Sequence, residues 1–443
     1  MRIAPGALAL VFALAGCDLF GGEERLEGER IRIRPDRAER EAQEEGTSFG
    51  AAGVAGVATA LPAPRPIDAW TQTNAVPSHN AGHLAGPASP ERAWAVDAGE
   101  GSSAEGAITS APVVAGGLAF ALDAAAEVRA FDAGSGAERW RRSHAPEREG
   151  GEEGFGGGLA WARGRLFATT GVGEALALDP GSGEILWRVR LGAPVRAAPA
   201  VEGGVLVAVA RDNSAYGLDT GSGAILWRAR AASSGAGFLG GASPAIAGGG
   251  ALVPFGSGEI VALDLATGRR FWSAILSGGR RGLARAAISD VTGDPVVVGP
   301  LVIAANQAGR IVAVVGSSGQ RAWTRSIGAV GPIWAAGRSL FLVTDTARLM
   351  RLDASSGTTE WAVDLPAFED MEDREGRILY SGPVLVEGRV YVTSSQGELL
   401  AFEGVDGGAV STTELTGGSR TGPVVADGTL FVLTDDGTLE AYR

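Results

Sequence analysis

The sequence predicts an all-β fold, an eight-bladed propeller whose ring is closed by a strand from its own N-terminal part. Three observations predict it. First, one phrase recurs six times between Asp132 and Trp361. ALDPGSGEILW at 177–187, GLDTGSGAILW at 217–227 and ALDLATGRRFW at 262–272 are its clearest copies, and variants end at Trp140, Trp323 and Trp361. Second, the spacings between these Trp residues are 47, 40, 45, 51 and 38, the period of a four-stranded blade. Third, the two ends are complementary. The last unit stops at Arg443 after its third strand, and ERAWAVDAG at 91–99 reads as a fourth strand, with Trp94, that has no blade before it. An open solenoid would need polar caps instead of such a pair of ends.

Each unit begins with a Pro-led apolar run, as in APVVAGGLAFAL at 111–122 and GPVLVEGRVYVT at 382–393. A Gly or Asp-Gly turn and a second alternating run follow, such as EIVALD at 259–264. Then come a Ser/Thr-Gly turn and a last run at the Trp. These are short strands of period two joined by hairpin dipeptides such as Ser257-Gly258, Gln396-Gly397 and Asp436-Gly437, with no stretch of helical period. The 69 Gly among 443 residues fit that turn load. Unit starts fall at Pro112, Pro199, Pro244, Pro295, Pro332, Pro383 and Pro423, with one more near Gly158, which makes eight. The seventh unit carries Ser411 where the Trp belongs.

Four residues before each of the six Trp stands a Gly: Gly136, Gly183, Gly223, Gly268, Gly319 and Gly357. Eight before stands an Asp in five units, and Val315 in the other. The Trp set, Trp94, Trp140, Trp187, Trp227, Trp272, Trp323 and Trp361, is read as docking one blade on the next, each ring buried with its N–H on a partner. The Asp is read as a turn residue holding backbone N–H groups.

The N-terminus reads as targeting. Arg2 precedes an apolar run, Ala7 to Ala15, that ends in Leu14-Ala15-Gly16-Cys17, so 1–16 is a secretory signal. Cys17 is the chain's sole Cys, and LAGC looks like a bacterial lipobox, whose Cys becomes the lipid-bearing N-terminus. Residues 17–66 are expected to form a lipidated, disordered tether, crowded with Glu and Arg at 23–45 and rich in Gly, Ala and Pro at 50–66. The propeller is assigned to 67–443. Net charge is −13 with no basic run in the repeats, which argues against nucleic acid as a partner.

No catalytic residue, metal site or cofactor emerges. All 38 basic residues are Arg, which excludes Schiff-base chemistry by Lys. With Cys17 used for lipid, thiol catalysis and Cys-ligated metals are excluded too. His79 and His83 lie in the loop NAVPSHNAGHLAG without an evident third ligand and are read as structural. His144 is expected to be solvated in an Arg/Glu-rich loop. Glu369, Asp370, Glu372 and Asp373 form an acidic, solvated loop within 366–376. Two connections stand out as interaction candidates. ASSGAGFLGGASP at 232–244 places Phe238 and Leu239 at a Gly-rich tip, and 275–294 carries Arg280, Arg281, Arg285 and Asp290.

The repeat A-x-D-x-x-(S/T)-G-x-x-x-W resembles the tryptophan-docking repeat of quinoprotein-like eight-bladed propellers. Over about 67–443 the chain is similar to BamB-like lipoproteins of the outer-membrane β-barrel assembly machinery. The segments that carry this are WTQTNAVPSHNAGHLAG at 70–86, GFLGGASPAI at 237–246, AISDV at 287–291 and DDGTLEAYR at 435–443. The resemblance implies a non-catalytic, cofactor-free scaffold at the outer membrane, facing the periplasm on a lipid anchor. Its implied partners are the POTRA domains of a BamA-like protein and other lipoproteins of that complex. It implies partner contacts at Phe238, Leu239 and Asp290. The family pattern has Arg where Leu239 stands and an acidic residue where Thr292 stands. Two rivals share the fold: a quinone-cofactor-dependent dehydrogenase, whose class carries a vicinal Cys pair, and a ligand-sensing periplasmic propeller.

Overall fold

A computed structural model of the chain describes residues 60–103, 106–144, 156–232, 241–276, 290–329 and 331–443. Cys17, Phe238 and Leu239 lie outside the described residues. Among those described there is no helix, and the strands form eight four-stranded antiparallel sheets. Blade 1 consists of β2 (Val113–Ala115), β3 (Leu118–Leu122), β4 (Glu127–Asp132) and β5 (Glu138–Ser143), in that order. Blades 2 to 7 follow the same order within 157–190, 200–230, 245–275, 293–325, 334–364 and 380–414. Inner strands are apolar on both faces because a blade lies on either side. In outer strands such as β5 only the Trp, here Trp140, is buried.

The blades are joined by one repeated contact. Six Trp indoles donate to a backbone carbonyl in the next blade: Trp140 to Pro180 at 2.7 Å, Trp187 to Thr220 at 3.0 Å, Trp227 to Leu265 at 2.8 Å. Trp272, Trp323 and Trp361 continue the series onto Gly316, Ala354 and Gly404. In each case the ring lies against the repeat's Gly. A Cβ on Gly223 would stand 2.8 Å from the Trp187 ring, and Gly223 has φ of +75°. The Gly thus serves twice, as the left-handed turn residue and as the surface on which the indole rests. The Asp organises the same turn: Asp219 Oδ1 accepts the Ser222 N–H at 2.8 Å and its hydroxyl at 2.7 Å.

Blade 8 closes the ring as the chain ends require. Strands Val424–Ala426, Thr429–Leu433 and Thr438–Tyr442 are completed on the outside by β1 (Arg92–Asp97), with Trp94 opposite Ala441 and Val96 opposite Leu439. The closure explains Ser411. In blade 8 the last two strands come from opposite ends of the chain, so no Gly turn exists for a blade 7 Trp to rest on, and Ser411 is exposed. Trp94 completes the circuit against Gly136 of blade 1, 2.9 Å from the position of a Cβ there. Its indole nitrogen has no acceptor among the described residues, and the neighbouring Gly134 carbonyl takes Arg443 Nη2 at 2.6 Å.

Two expectations need correction. His144 is buried, not solvated. It stands four residues after Trp140, the place held by Leu191, Leu276, Leu365 and Leu415 after their own docking positions, where the chain leaves the outer strand. Its N–H donates to Ala126 O at 3.1 Å, as Leu191 N–H does to Gly173 O at 2.8 Å. The ordered chain also begins before residue 67. Arg65 pairs with Leu84 as a β-bridge and donates from its guanidinium to Ala81 O at 2.6 Å, while Leu61 packs against the core. Composition placed 60–66 in the tether because Pro and Ala give no period, yet backbone groups and single apolar side chains suffice to fix it.

Gly223→Ala should destabilise the ring by about 1–3 kcal/mol, through overpacking against Trp187 and a left-handed backbone unsuited to Ala. Urea unfolding with an unchanged slope would register it. His144→Leu should act in the opposite sense. Among the described residues neither ring nitrogen of His144 has a partner. Burial, then the charges of Arg188 and Arg142, hold it down from 6.5 to about 4. The unfolded chain therefore takes up the proton more readily between those values, and stability falls as pH drops from about 6.5 towards 4. The Leu variant should gain roughly 1–2 kcal/mol, more at pH 5 than at pH 8. Melting curves at the two pH values check it, and an equal or lower melting point for the variant contradicts it.

Candidate functional site

The innermost strands of the blades turn a polar backbone edge towards the ring axis, and such an edge needs partners. The chain supplies them itself. Residues 67–84 form a strap that runs once around the hub and bonds to every blade in order. Ile67 O accepts the Asp427 N–H of blade 8 at 2.8 Å, and Trp70 exchanges two bonds with Val114 of blade 1 at 2.8 and 2.9 Å. Thr71 O accepts the Trp161 N–H of blade 2 at 2.6 Å. The Gln72 amide accepts the Val201 N–H of blade 3 at 2.9 Å and donates to its carbonyl at 3.3 Å. Pro77 and Ser78 accept Ile246 N–H of blade 4 and Val297 N–H of blade 5 at 2.7 and 3.1 Å. Gly82 O accepts the Trp334 indole of blade 6 at 2.8 Å. Leu84 pairs with Leu385 and Glu387 of blade 7 at 3.0 Å each.

Both strap histidines are fixed by this arrangement. His79 Nδ1 donates to Pro295 O at 2.8 Å, and burial holds the ring down at about 4, so it is neutral. His83 Nδ1 donates to Pro62 O at 2.6 Å while its Nε2 accepts the Gly388 N–H at 2.7 Å. The two imidazoles therefore tie the strap to the ring. Among the described residues no three His, Cys, Asp or Glu side chains gather around a point that could hold a metal.

The strap occupies the axis at the level of the innermost strands. Trp70 stacks on Trp334 with centroids 5.7 Å apart and planes 12° from parallel. Beside them is a cavity of about 140 Å³. Asn74, Ser243 and Asp294 line it, and burial pushes the Asp294 carboxyl up to about 7. Thr109, Gly241, Pro332 and Gly422 line both this cavity and a wider cleft on one face of the ring, but the sole Cys excludes the vicinal pair of the quinone enzymes. These residues do not fit a quinone.

The connections from each fourth strand to the next first strand share one face with the turns between second and third strands. On that face is a cleft of about 670 Å³ lined by Ile108, Thr344, Phe368, Arg377 and Tyr380. Gly241 and Thr292, which flank the segments 233–240 and 277–289, line its margin. The acidic segment expected as a loop is a hairpin, Phe368–Asp370 with Glu375–Arg377, and its acids are exposed. Asp290 departs from expectation. It is buried and pairs with Arg196, in the connection between blades 2 and 3, at 2.5 Å, so its charge holds the base of the segment. The signal for that pair was weak, because Arg196 is 94 residues away.

Comparison with known proteins follows the same geometry. A family model described as "Outer membrane protein assembly factor BamB" matches residues 124–363 and 367–443. The assembly factor BamB of Shigella dysenteriae serotype 1 is 30% identical over 79% of this chain and 88% of its own, and that of Escherichia coli K12 is equally similar. Among solved structures, BamB from Moraxella catarrhalis superposes with a TM-score of 0.65 at 17% identity, over 80% of this chain and 99% of that one. A quinohemoprotein alcohol dehydrogenase from Comamonas testosteroni shares the fold, with a TM-score of 0.65 at 13% identity over 85% of this chain and 80% of that one. With the ring, the docking repeat and the family match in agreement, the chain belongs to the BamB family of outer membrane protein assembly factors.

Proposed function

We propose that the protein is a non-catalytic scaffold lipoprotein of outer-membrane protein assembly, held at the outer membrane through Cys17 and facing the periplasm. The observation that carries this is the strap. It occupies the axis at the innermost strands with the chain's own backbone and indoles, and so favours a protein that works through its faces and rim. Its relatives are named as assembly factors. The partner is a BamA-like protein, engaged through its POTRA region by the face that carries 233–240, with Phe238 and Leu239 as apolar anchors. Other lipoproteins of the same complex are its neighbours. A dehydrogenase reading has the shared fold in its favour and the sole Cys against it.

Two experiments test this. Cys17→Ser should release the protein from the membrane fraction, since no other thiol can take the lipid. Unchanged membrane association in fractionated cells would refute the anchor. Changing Phe238 and Leu239 together to Ser should weaken co-purification with the BamA-like partner by about 2 kcal/mol, some thirtyfold, with melting unchanged. Retained binding would move the partner to another surface.

A further inference from the structure

The outer strands provide eight equivalent positions for comparison, and they are not used alike. In every blade the residue before the docking position is a β-bulge. Leu186, Leu226 and Phe271 are bulged in blades 2 to 4, and Arg139, Ala322 and Glu360 hold the same place in blades 1, 5 and 6. A bulge spoils the edge for strand addition and re-aims its side chain, inward onto Arg351 for Glu360 and outward in blades 2 to 4. In blades 2 to 4 that side chain is Leu or Phe, and in blade 7 it is the smaller and less exposed Val410, at 36%. Leu186, Leu226 and Phe271 are 49%, 48% and 49% exposed, and Ile185 and Ile225 beside them 42% and 48%. Blades 1, 5 and 6 carry Glu138, Arg321 and Thr359 beside theirs.

Charge is segregated around the same rim. Three residues after the docking position stand Arg190, Arg230 and Ile275 in blades 2 to 4, but Asp364, Glu414 and Asp97 in blades 6 to 8. Arg188 and Arg190 share the single carboxylate of Glu174 at 3.6 and 3.3 Å, and Arg228 and Arg230 share Asp212 at the same distances. In blades 2 and 3 two arginines thus face one carboxylate at the rim, in a chain of net charge −13. Arg269 lies over the Phe271 ring at 5.3 Å.

We propose that the outer rim of blades 2 to 4 is a docking surface for an acidic protein surface with an apolar centre, distinct from the loop face. Apolar anchors flanked by the arginine pairs of blades 2 and 3 and by Arg269 in blade 4 fit such a partner in sign of charge. A bilayer fits less well. Eight blades around an axis set blades 2 and 4 about 90° apart, so a flat surface meets one of them while a partner that wraps the rim meets all three. A second copy of the chain would oppose arginine with arginine if it used the same patch. The inference rests on the scaffold reading, since an assembly protein with an occupied axis binds by its surface.

The test places a photocrosslinking residue at 186, 226 or 271 of the full chain in cells, with 139, 322 and 360 as the same position on other blades. One protein should be captured from the first three sites and not from the controls, through a segment rich in Asp or Glu. In the purified pair, Leu186→Ser with Leu226→Ser and Phe271→Ser should weaken binding about tenfold or more at an unchanged melting point. Raising salt from about 0.1 to 0.5 M should weaken the unaltered pair. No adduct, equal adducts at all six sites, or adducts with lipid would overturn the docking surface. An adduct with a protein outside the outer-membrane assembly machinery would keep the surface and overturn the scaffold reading. Loss of rim adducts alone, with partner binding through Phe238 intact, would do the reverse.

Discussion

The contact between an indole and a glycine one blade further on is the constraint from which the ring follows. It needs a left-handed residue without Cβ at the turn and a flat, amphipathic side chain on the preceding outer strand. Gly136 shows the demand at the closure. A side chain there would meet Trp94 at 2.9 Å, so the last contact of the ring obeys the same rule as the first, although its two partners come from different ends of the blade set. Ser411 marks where the rule lapses, and it lapses where the turn it needs does not exist. Each contact is ordinary in strength. Their series fixes the angle between blades and hence the width of the hub.

That width creates a second problem. Eight short inner strands expose unpaired backbone groups around an axis lined by apolar residues, and unpaired groups there cost free energy. The strap resolves it with at least one bond to each blade, and the ring becomes closed twice: at the rim by β1 and at the hub by 67–84. The second closure bears on function. Where a related fold can hold a small molecule on its axis, this chain places Trp70 against Trp334. The proposed binding surfaces are the loop face and the outer rim, where the repeat is free to vary because nothing in the docking contact restricts those positions.

The sequence made the repeat, the blade count and the closure by Trp94 legible, since all three rest on local spacing. His144 was legible too, had the position four residues after each docking Trp been compared across units. Asp132 and its counterparts behave as turn residues: Asp132, held by Arg139 and Ser135, stays ionised down to about 2. What the sequence did not reveal is non-local. The strap has no period because each of its residues answers to a different blade, so it reads as a loop of Pro, Gly and Asn. Asp290 reads as an exposed charge until folding brings Arg196 to it. The apolar bulges at Leu186, Leu226 and Phe271 lie within the repeat itself, where their neighbours' resemblance hid the difference between blades.

Native-state hydrogen exchange at the amides of Val114, Trp161, Val201, Ile246, Val297, Glu387 and Asp427 tests the doubly closed ring most directly. Each donates to the strap, and each belongs to a different blade except that blade 6 is held through the Trp334 indole. If the strap seals the hub as one unit, these seven amides exchange together, by a single opening whose free energy approaches that of global unfolding. Independent exchange at low cost, with the blades' own ladders still protected, would mean that the strap only rests in the hub, and that the axis is open to a ligand after all.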